Sequence, residues 1–357
     1  MNNDDINNAN NKKNIKIYVI NIFIILAILA AILIYMFNVE GIENIKALLQ
    51  SANYAWILLG ALCLVGMWLA EAITIHLPLK KLYPNQKFLN SLKITMIGQL
   101  FNNITPFASG GQPMQAYVMH REGKIASNSL SILSMKFVIT QTTLIIFTIA
   151  VVLSQFSFFA GLFQDLVWIG LIGIILNIIL VAILIVAGYN KNFVMKITLP
   201  ILKLISKIHI GKHQLIKNID ETIQKFDASV TNFSNQFKNM VRNEKHTLCG
   251  MVIVGLIQSI LYYAITYTIY RAFGNFGNTF LEIITTQAFL MLIMTVFPTP
   301  GAGLGAEGGF FILFNSIFKN GTINLSILFW RIYTFYLPLI VGTLFFIYAI
   351  NQKRETK

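Results

Sequence analysis

Apolar residues run along this chain in long blocks separated by short polar connectors, and strict alternation of apolar and polar positions is rare. Blocks of about 20 residues, long enough to cross a hydrocarbon core of about 30 Å as helices, are predicted at about 17–37, 55–76, 128–153, 166–188, 247–270 and 325–350. Lipid offers no water to backbone N–H and C=O groups, so a spanning segment must satisfy them internally. Helices do so, and the short alternating strands of a membrane barrel are missing from the pattern. Two further apolar blocks are interrupted. Gly98-Gln-Leu-Phe-Asn-Asn-Ile-Thr-Pro-Phe-Ala-Ser-Gly-Gly-Gln-Pro113 and Phe297-Pro-Thr-Pro-Gly-Ala-Gly-Leu-Gly-Ala-Glu-Gly-Gly309 carry Gly and Pro where a continuous helix tolerates them poorly.

Composition supports a lipid solvent. Of 357 residues 56% are hydrophobic and 11% charged, too little polar surface to cover a water-soluble core of that size. The expected fold class is therefore all-α: a polytopic integral membrane protein with about six full spans and two re-entrant helical hairpins related as an inverted repeat. The first block, Ile17 to Phe37, is too long for a signal-peptide core and lacks a small-residue cleavage site after it, so it reads as a retained span. The Asn-rich start, 1–16, has little to bury and is expected to be a loose tail. Cys63 and Cys249 fall inside spans as two isolated thiols, without disulfide or metal spacing.

Charge then sorts the connectors by side. The net charge of +13 would suggest nucleic acid for a soluble protein. Here the basic residues cluster on one face of the predicted topology: Lys12, Lys13 and Lys16, then Lys80, Lys81, Lys87 and Lys93, then Arg121 and Lys124, and finally Lys353, Arg354 and Lys357. The positive-inside rule makes that face cytoplasmic, with both termini on it, in a cell membrane. No nucleic-acid partner is expected. The long polar stretch 190–246 falls on the same side, and Leu215, Ile219, Ile223, Phe226, Val230, Phe233, Phe237 and Met240 recur in it at helical spacing. It reads as an amphipathic helical hairpin packed on the same chain, with Pro200 ending its shorter arm and lipid attraction as a by-product. His209 and His213, read as one helical turn apart, lack a carboxylate, so neither metal nor cofactor is expected.

The chain thus divides into a tail (1–16), a first membrane half (17–189) with a hairpin at about 93–120, the basic segment 190–246, and a second half (247–357) with a hairpin at about 283–318. The first hairpin begins after Lys93 and ends before Arg121, so it enters and leaves on the inside; the second opens outward. Asn102, Asn103, Thr105, Ser109, Gln112 and Gln115 can satisfy the broken backbone of the first, around Pro106, Gly110, Gly111 and Pro113. The second is shaped by Pro298, Pro300, Gly301, Gly303 and Gly305 and carries Glu307, an ionisable group whose burial at mid-membrane costs at least about 2.5 kcal/mol. Lys136 and Arg331 lie about one to two turns inside their spans and can neutralise Glu307 or hold a phosphate. Backbone N–H groups at Gly111 and Gly308 can add donors for the same anion. An Arg331–Glu307 structural pair and direct ligand binding fit the sequence equally well. Glu71 and His76 suit snorkelling or structural pairing.

Thr105-Pro-Phe-Ala-Ser-Gly-Gly-Gln-Pro113 with His120-Arg-Glu-Gly123, followed far downstream by Pro298-Thr-Pro-Gly-Ala-Gly-Leu-Gly-Ala-Glu307, resembles the two motifs of the flippase-like membrane region of lysylphosphatidylglycerol synthases and their free-standing relatives. The likeness extends from the first span to the last. It implies movement of an aminoacylated phosphatidylglycerol, first of all a lysylphosphatidylglycerol-type lipid, or in relatives another polar or isoprenoid-linked lipid, between leaflets, and with it antimicrobial-peptide resistance. The full-length synthases carry a soluble aminoacyltransferase domain, whereas this sequence stops at Lys357. The family label would be phosphatidylglycerol lysyltransferase, yet no Walker loop and no Ser/His/Asp or Cys/His arrangement can be argued from spacing. A membrane phospholipid is the expected partner, with a separately encoded lipid synthase or glycosyltransferase as an alternative partner and a homo-oligomer as a further expectation.

Overall fold

The computed structural model describes residues 46, 49–158, 167–206, 209–210, 213–214, 219–296, 301, 303–319 and 321–351. The predicted tail, the first span at about 17–37, Leu215, Pro298 and Pro300 lie outside them. In chain order the helices are α1 (Tyr54–Leu82), α2 (Phe88–Ile104), α3 (Gly111–Arg121), α4 (Ala126–Ser154), α5 (Val167–Tyr189), α6 (Lys191–Ser206), α7 (Ile219–Asn243), α8 (Lys245–Ala272), α9 (Phe280–Val296), α10 (Gly303–Phe314), α11 (Ile323–Arg331) and α12 (Leu337–Asn351). Five are long and apolar enough to cross a membrane among the described residues: α1, α4, α5, α8, and α11 with α12 taken as one rod. The remaining apolar helices, α9 and α10, are shorter. This is an all-α polytopic membrane fold.

Each long helix forms for local reasons. Asn53 caps α1, its Oδ1 accepting the Ala55 N–H at 3.1 Å, and Lys80 and Lys81 in the last turn oppose the negative end of the helix dipole. The rod buries Leu64, Met67, Ala72, Ile75 and Leu79 and packs along α8. Leu58, Leu62 and Leu69 on its other side are exposed, as are Trp168, Ile172 and Ile175 on α5. Apolar surface of that extent is stable against lipid, and burial in protein is not required. Close crossings use small residues: a Cβ on Gly342 of α12 would sit 2.6 Å from the Met96 carbonyl oxygen of α2.

The amphipathic α7 packs against α4, α5 and α6, burying Val230, Phe237 and Met240. Its backbone and side chains are tied down at Ser131 Oγ to the Phe233 carbonyl (3.0 Å), Ser234 Oγ to the Gly188 carbonyl (2.8 Å) and Lys191 to Asp227 (2.7 Å). Two local expectations fail. Pro200 does not end its arm; α6 runs through it to Ser206, because Pro200 lies on the exposed side, where the Lys196 carbonyl freed by the missing N–H can be solvated. His209 and His213 do not share a helix face. They lie in two-residue antiparallel strands, β1 (His209–Ile210) and β2 (His213–Gln214), with Ile210 opposite His213.

The two interrupted blocks fold as helical hairpins that open at opposite ends of α1. At the α1 start, the Asn53 N–H donates to the Ala272 carbonyl at 2.9 Å, and nearby Asn275 accepts the Lys319 N–H at 2.9 Å and donates to Thr322 Oγ1 at 3.3 Å. That end holds the entrance and exit of the α9/α10 hairpin. At the other end of α1, the start of α2 and the end of α3 meet, joined by Lys93 Nζ and Glu122 Oε1 at 2.8 Å. By length, α3 with 11 residues and α10 with 12 are about 17–18 Å long, too short to cross a bilayer alone.

Candidate functional site

The first hairpin reverses at residues other than its glycines. Thr105 is extended (φ −115°, ψ 145°), as a residue preceding proline prefers, and Pro106 opens a single 3₁₀ turn. The reversal falls on Phe107 and Ala108, both left-handed at φ 54° and 51°, a strained state for side chains with a Cβ. Gly110 is right-handed helical, at φ −81°. Gly111 is needed for close approach: a Cβ there would lie 2.7 Å from the Gly98 carbonyl oxygen. Pro113 falls in the first turn of α3, where its missing N–H costs no helix bond.

The polar groups of this segment satisfy its own backbone. Asn102 Oδ1 accepts the Gly111 N–H at 3.1 Å, and Thr105 Oγ1 accepts the Gly110 N–H at 2.8 Å while donating to the Phe101 carbonyl at 2.6 Å. Ser109 donates to the Pro106 carbonyl at 2.9 Å, and buried Gln115 to the Ile94 carbonyl at 3.3 Å; Gln112 is half-buried. The Gly111 N–H is therefore engaged within the hairpin and is no donor for an anion. Gly308 is no helix start either, since α10 begins at Gly303.

The second hairpin is held by Arg331. Its Nε donates to Glu307 Oε1 at 2.8 Å, Nη1 to the Gly301 carbonyl at 3.0 Å and Nη2 to the Gly303 carbonyl at 3.4 Å. The planar fork thus satisfies two carbonyls of broken backbone and one carboxylate at once. The guanidinium is buried and lies 5.3 Å from the Trp330 and Phe335 ring centroids, while the Glu307 side chain keeps 39% of its surface exposed. Gly301 is left-handed at φ 60°, and the Phe335 ring occupies the space its Cβ would need. Gly305 is buried within α10.

Arg331 is the last residue of α11, and a π turn, Ile332–Tyr336, follows, closed by the Leu337 N–H on the Ile332 carbonyl. Pro338 explains it: a proline cannot donate to the carbonyl four residues back, and its ring crowds that carbonyl, so the helix widens. The widened turn serves both hairpins. Phe335 packs its ring against Gly301, and its carbonyl accepts Asn103 Nδ2 of the first hairpin at 3.4 Å. Sequence reasoning missed Phe335 and this turn; the readable signal was Pro338 inside an apolar span.

Lys136 belongs elsewhere. Its Nζ lies 2.6 Å from Glu71 Oε1, and Gln99 of α2 also donates to Glu71, so a buried polar cluster joins α1, α2 and α4. The expectation that Lys136 neutralises Glu307 fails because α4 turns that face toward α1. His76 pairs with Ser91 Oγ at 3.0 Å. Arg121 lies at the open end of the first hairpin. Among the described residues no group of His, Cys, Asp or Glu is arranged to hold a metal.

Residues 22–342 match the model of the lysylphosphatidylglycerol synthase TM region. The chain belongs to that family. It is also similar to a UPF0104 membrane protein of Archaeoglobus fulgidus, 21% identical over 312 residues that cover 87% of this chain and 92% of the relative. The family and the apolar helices together make it a multi-pass membrane protein.

Proposed function

We propose that this family member is a flippase-like transporter that moves an anionic, aminoacylated or isoprenoid-linked phospholipid between leaflets. One observation carries the reading: both broken segments are fastened at the widened turn, through Asn103 to the Phe335 carbonyl and through Gly301 against the Phe335 ring, with Arg331, the residue just before the turn, holding Gly301, Gly303 and Glu307. Paired Gly/Pro-broken segments opening to opposite sides are the usual architecture of a midplane transport site. Glu307 is the ionisable group left half-exposed there, a partner for a headgroup amine or hydroxyl, while acyl chains stay in lipid. Drive would come from the lipid gradient, the membrane potential or ion coupling.

The test is translocation of headgroup-labelled lipid in proteoliposomes, read by a leaflet-selective quencher. Glu307→Gln is expected to slow it by about tenfold or more, a loss of at least about 1.4 kcal/mol of barrier lowering. Unchanged rates in both Glu307→Gln and Arg331→Ala sink the assignment. A second reading, a membrane partner for a separately encoded lipid synthase or glycosyltransferase, draws on α6, where Ile197, Ile201 and Leu204 are exposed in one stripe near Lys196 and Lys203. That stripe also suits the headgroup layer, and translocation by the purified chain alone separates the two.

A further inference from the structure

Where the second hairpin opens, beside the start of α1, helix punctuation builds an aromatic cage around one arginine. Gly274, left-handed at φ 74°, ends α8 in a Schellman turn, with the Asn275 N–H on the Tyr270 carbonyl and the Gly274 N–H on the Arg271 carbonyl, both at 3.2 Å. The chain folds back over the last helical turn. Phe276 thereby brings its ring centroid 4.4 Å from the guanidinium carbon of half-buried Arg271, with the Trp56 ring of α1 at 5.2 Å and the Tyr267 ring at 5.9 Å. Trp56 and Phe280 each meet Tyr267 edge to face, at 5.9 and 5.0 Å, so rings from α1, α8 and α9 lock together. Arg271 Nη1 donates to the Tyr267 hydroxyl at 3.2 Å, whereas its buried Nε has no hydrogen-bond partner among the described residues.

The acid at the start of α9 is already engaged. Glu282 Oε2 accepts the Thr279 N–H at 2.8 Å and Asn278 Nδ2 at 3.2 Å, and its own N–H returns to Thr279 Oγ1 at 3.3 Å, a capping box. Exposed Lys319 adds a second cation to the same loop, its Nζ 3.7 Å from where a Cβ on Gly277 would sit. A buried guanidinium edge without an acceptor is costly, and an anion reaching it would offset that cost. The rings hold the guanidinium plane in place, so its fork meets a phosphate with little loss of side-chain freedom. Phe276 is 67% and Phe280 41% exposed, and aromatic rings at a span end collect at headgroup level. We infer that this cage binds the phosphate of a phospholipid headgroup, on the face that the positive-inside rule assigns to the outside. The 17 residues of α9, about 25 Å, run from there to the Gly301–Glu307 end of the hairpin, so this is a port at the mouth and not the midplane site. The inference rests on the lipid-transport reading for its purpose. A soluble phosphate ester shares the chemistry, and the exposed apolar rings favour the lipid.

The test is lipid binding to the full chain in nonionic detergent, read by tryptophan quenching. Phosphatidylglycerol and phosphate-free diglucosyl diacylglycerol, both with brominated acyl chains, are titrated, and each protein is compared with its own Trp56→Phe form to isolate the Trp56 signal. Phosphatidylglycerol is expected to bind about tenfold more tightly than the glycolipid, the size of one or two charge-assisted hydrogen bonds, and Arg271→Gln to abolish that preference. Phe276→Glu, at an exposed position, gives the guanidinium a carboxylate of the chain itself and should remove the preference without disturbing the fold. Loss in either folded variant supports the inference. Glycerol 1-phosphate that displaces the lipid at matching concentration supports the anion site and assigns it to a soluble ester. Equal affinity for the two lipids in the parent, or a preference unchanged in both variants, overturns the inference. Translocation is not read in this experiment, so a phosphate preference that survives in a Glu307→Gln chain unable to flip lipid separates failure of the midplane site from failure of this one.

Discussion

Arg331 is buried and Glu307 is not, although the two touch at 2.8 Å with 7% and 39% of their side-chain surfaces exposed. The asymmetry divides their roles. Arg331 completes the fold of the second hairpin by holding the Gly301 and Gly303 carbonyls; Glu307 keeps its outer face exposed. Removing the buried partner leaves two carbonyls and a carboxylate unsatisfied, a loss on the order of 3–5 kcal/mol. Arg331→Ala is therefore expected to lower the melting temperature in detergent and the yield of monodisperse protein. Glu307→Gln keeps an acceptor for Nε and should melt within a few degrees of the parent while losing translocation. Thermal unfolding and proteoliposome assays on the same preparations check both halves; equal destabilisation by the two changes contradicts the division.

The glycines of the second hairpin should respond unequally. Gly301 is left-handed with the Phe335 ring in the place of its Cβ, so Gly301→Ala forces both strain and displacement of the widened turn, at about 1–3 kcal/mol or more. Gly308, five residues into its helix yet open around its Cβ, has nothing within 4 Å. Gly308→Ala should be neutral or stabilising by about 0.5–1 kcal/mol, the ordinary gain of alanine over glycine in a helix. Melting temperatures of the two variants decide it. A similar loss in both means that the hairpin is packed more tightly around Gly308 than its surroundings indicate.

The spans were legible because lipid demands long apolar blocks, and α1, α4, α5, α8 and the α11–α12 rod lie within a few residues of where those blocks fall. What the pattern did not carry was rotation about the helix axis. Depth alone placed Lys136 with Glu307, but the pairing depends on which face of α4 meets α1, and Glu71 answers it from 65 residues away. The reversal of the first hairpin was hidden for a different reason. Composition points to Gly110-Gly111 for a left-handed turn, yet the chain turns at Phe107 and Ala108 and uses Gly111 for helix contact. Local propensity yields there to the packing of α3 against α2. Asn102 and Thr105 were readable as partners for broken backbone because their side chains are short and polar, and that is the use they find.

The Glu71–Lys136 pair offers a cleaner energetic test. Glu71→Gln leaves a buried ammonium without its counter-charge and is expected to cost about 3–5 kcal/mol. Replacing both partners, Glu71→Leu with Lys136→Met, removes the uncompensated charge and should recover most of that loss, while Gln99 loses its acceptor and keeps the recovery incomplete. A double-mutant cycle on melting temperature checks this, and translocation in the double variant reads whether the cluster is structural. Retained transport marks a structural pair; loss of transport at restored stability assigns the charges a role in the path.

Pro338 tests whether the widened turn matters for movement. Pro338→Ala restores an N–H able to bond the carbonyl of Thr334, and the proline penalty it relieves is up to about 3 kcal/mol. The Ile332–Tyr336 turn is then expected to relax toward regular α-helix, which shifts the Phe335 carbonyl away from Asn103 and loosens the ring against Gly301. Amide hydrogen exchange across 336–340 should slow, the melting temperature should rise or hold, and translocation should fall, because a stiffer rod no longer accommodates both hairpins. Slower exchange with undiminished translocation would show that the turn is only the local consequence of a proline. Unchanged exchange would mean that contacts from the two hairpins, and not Pro338, hold the helix open, in which case Asn103→Ala is expected to close it instead.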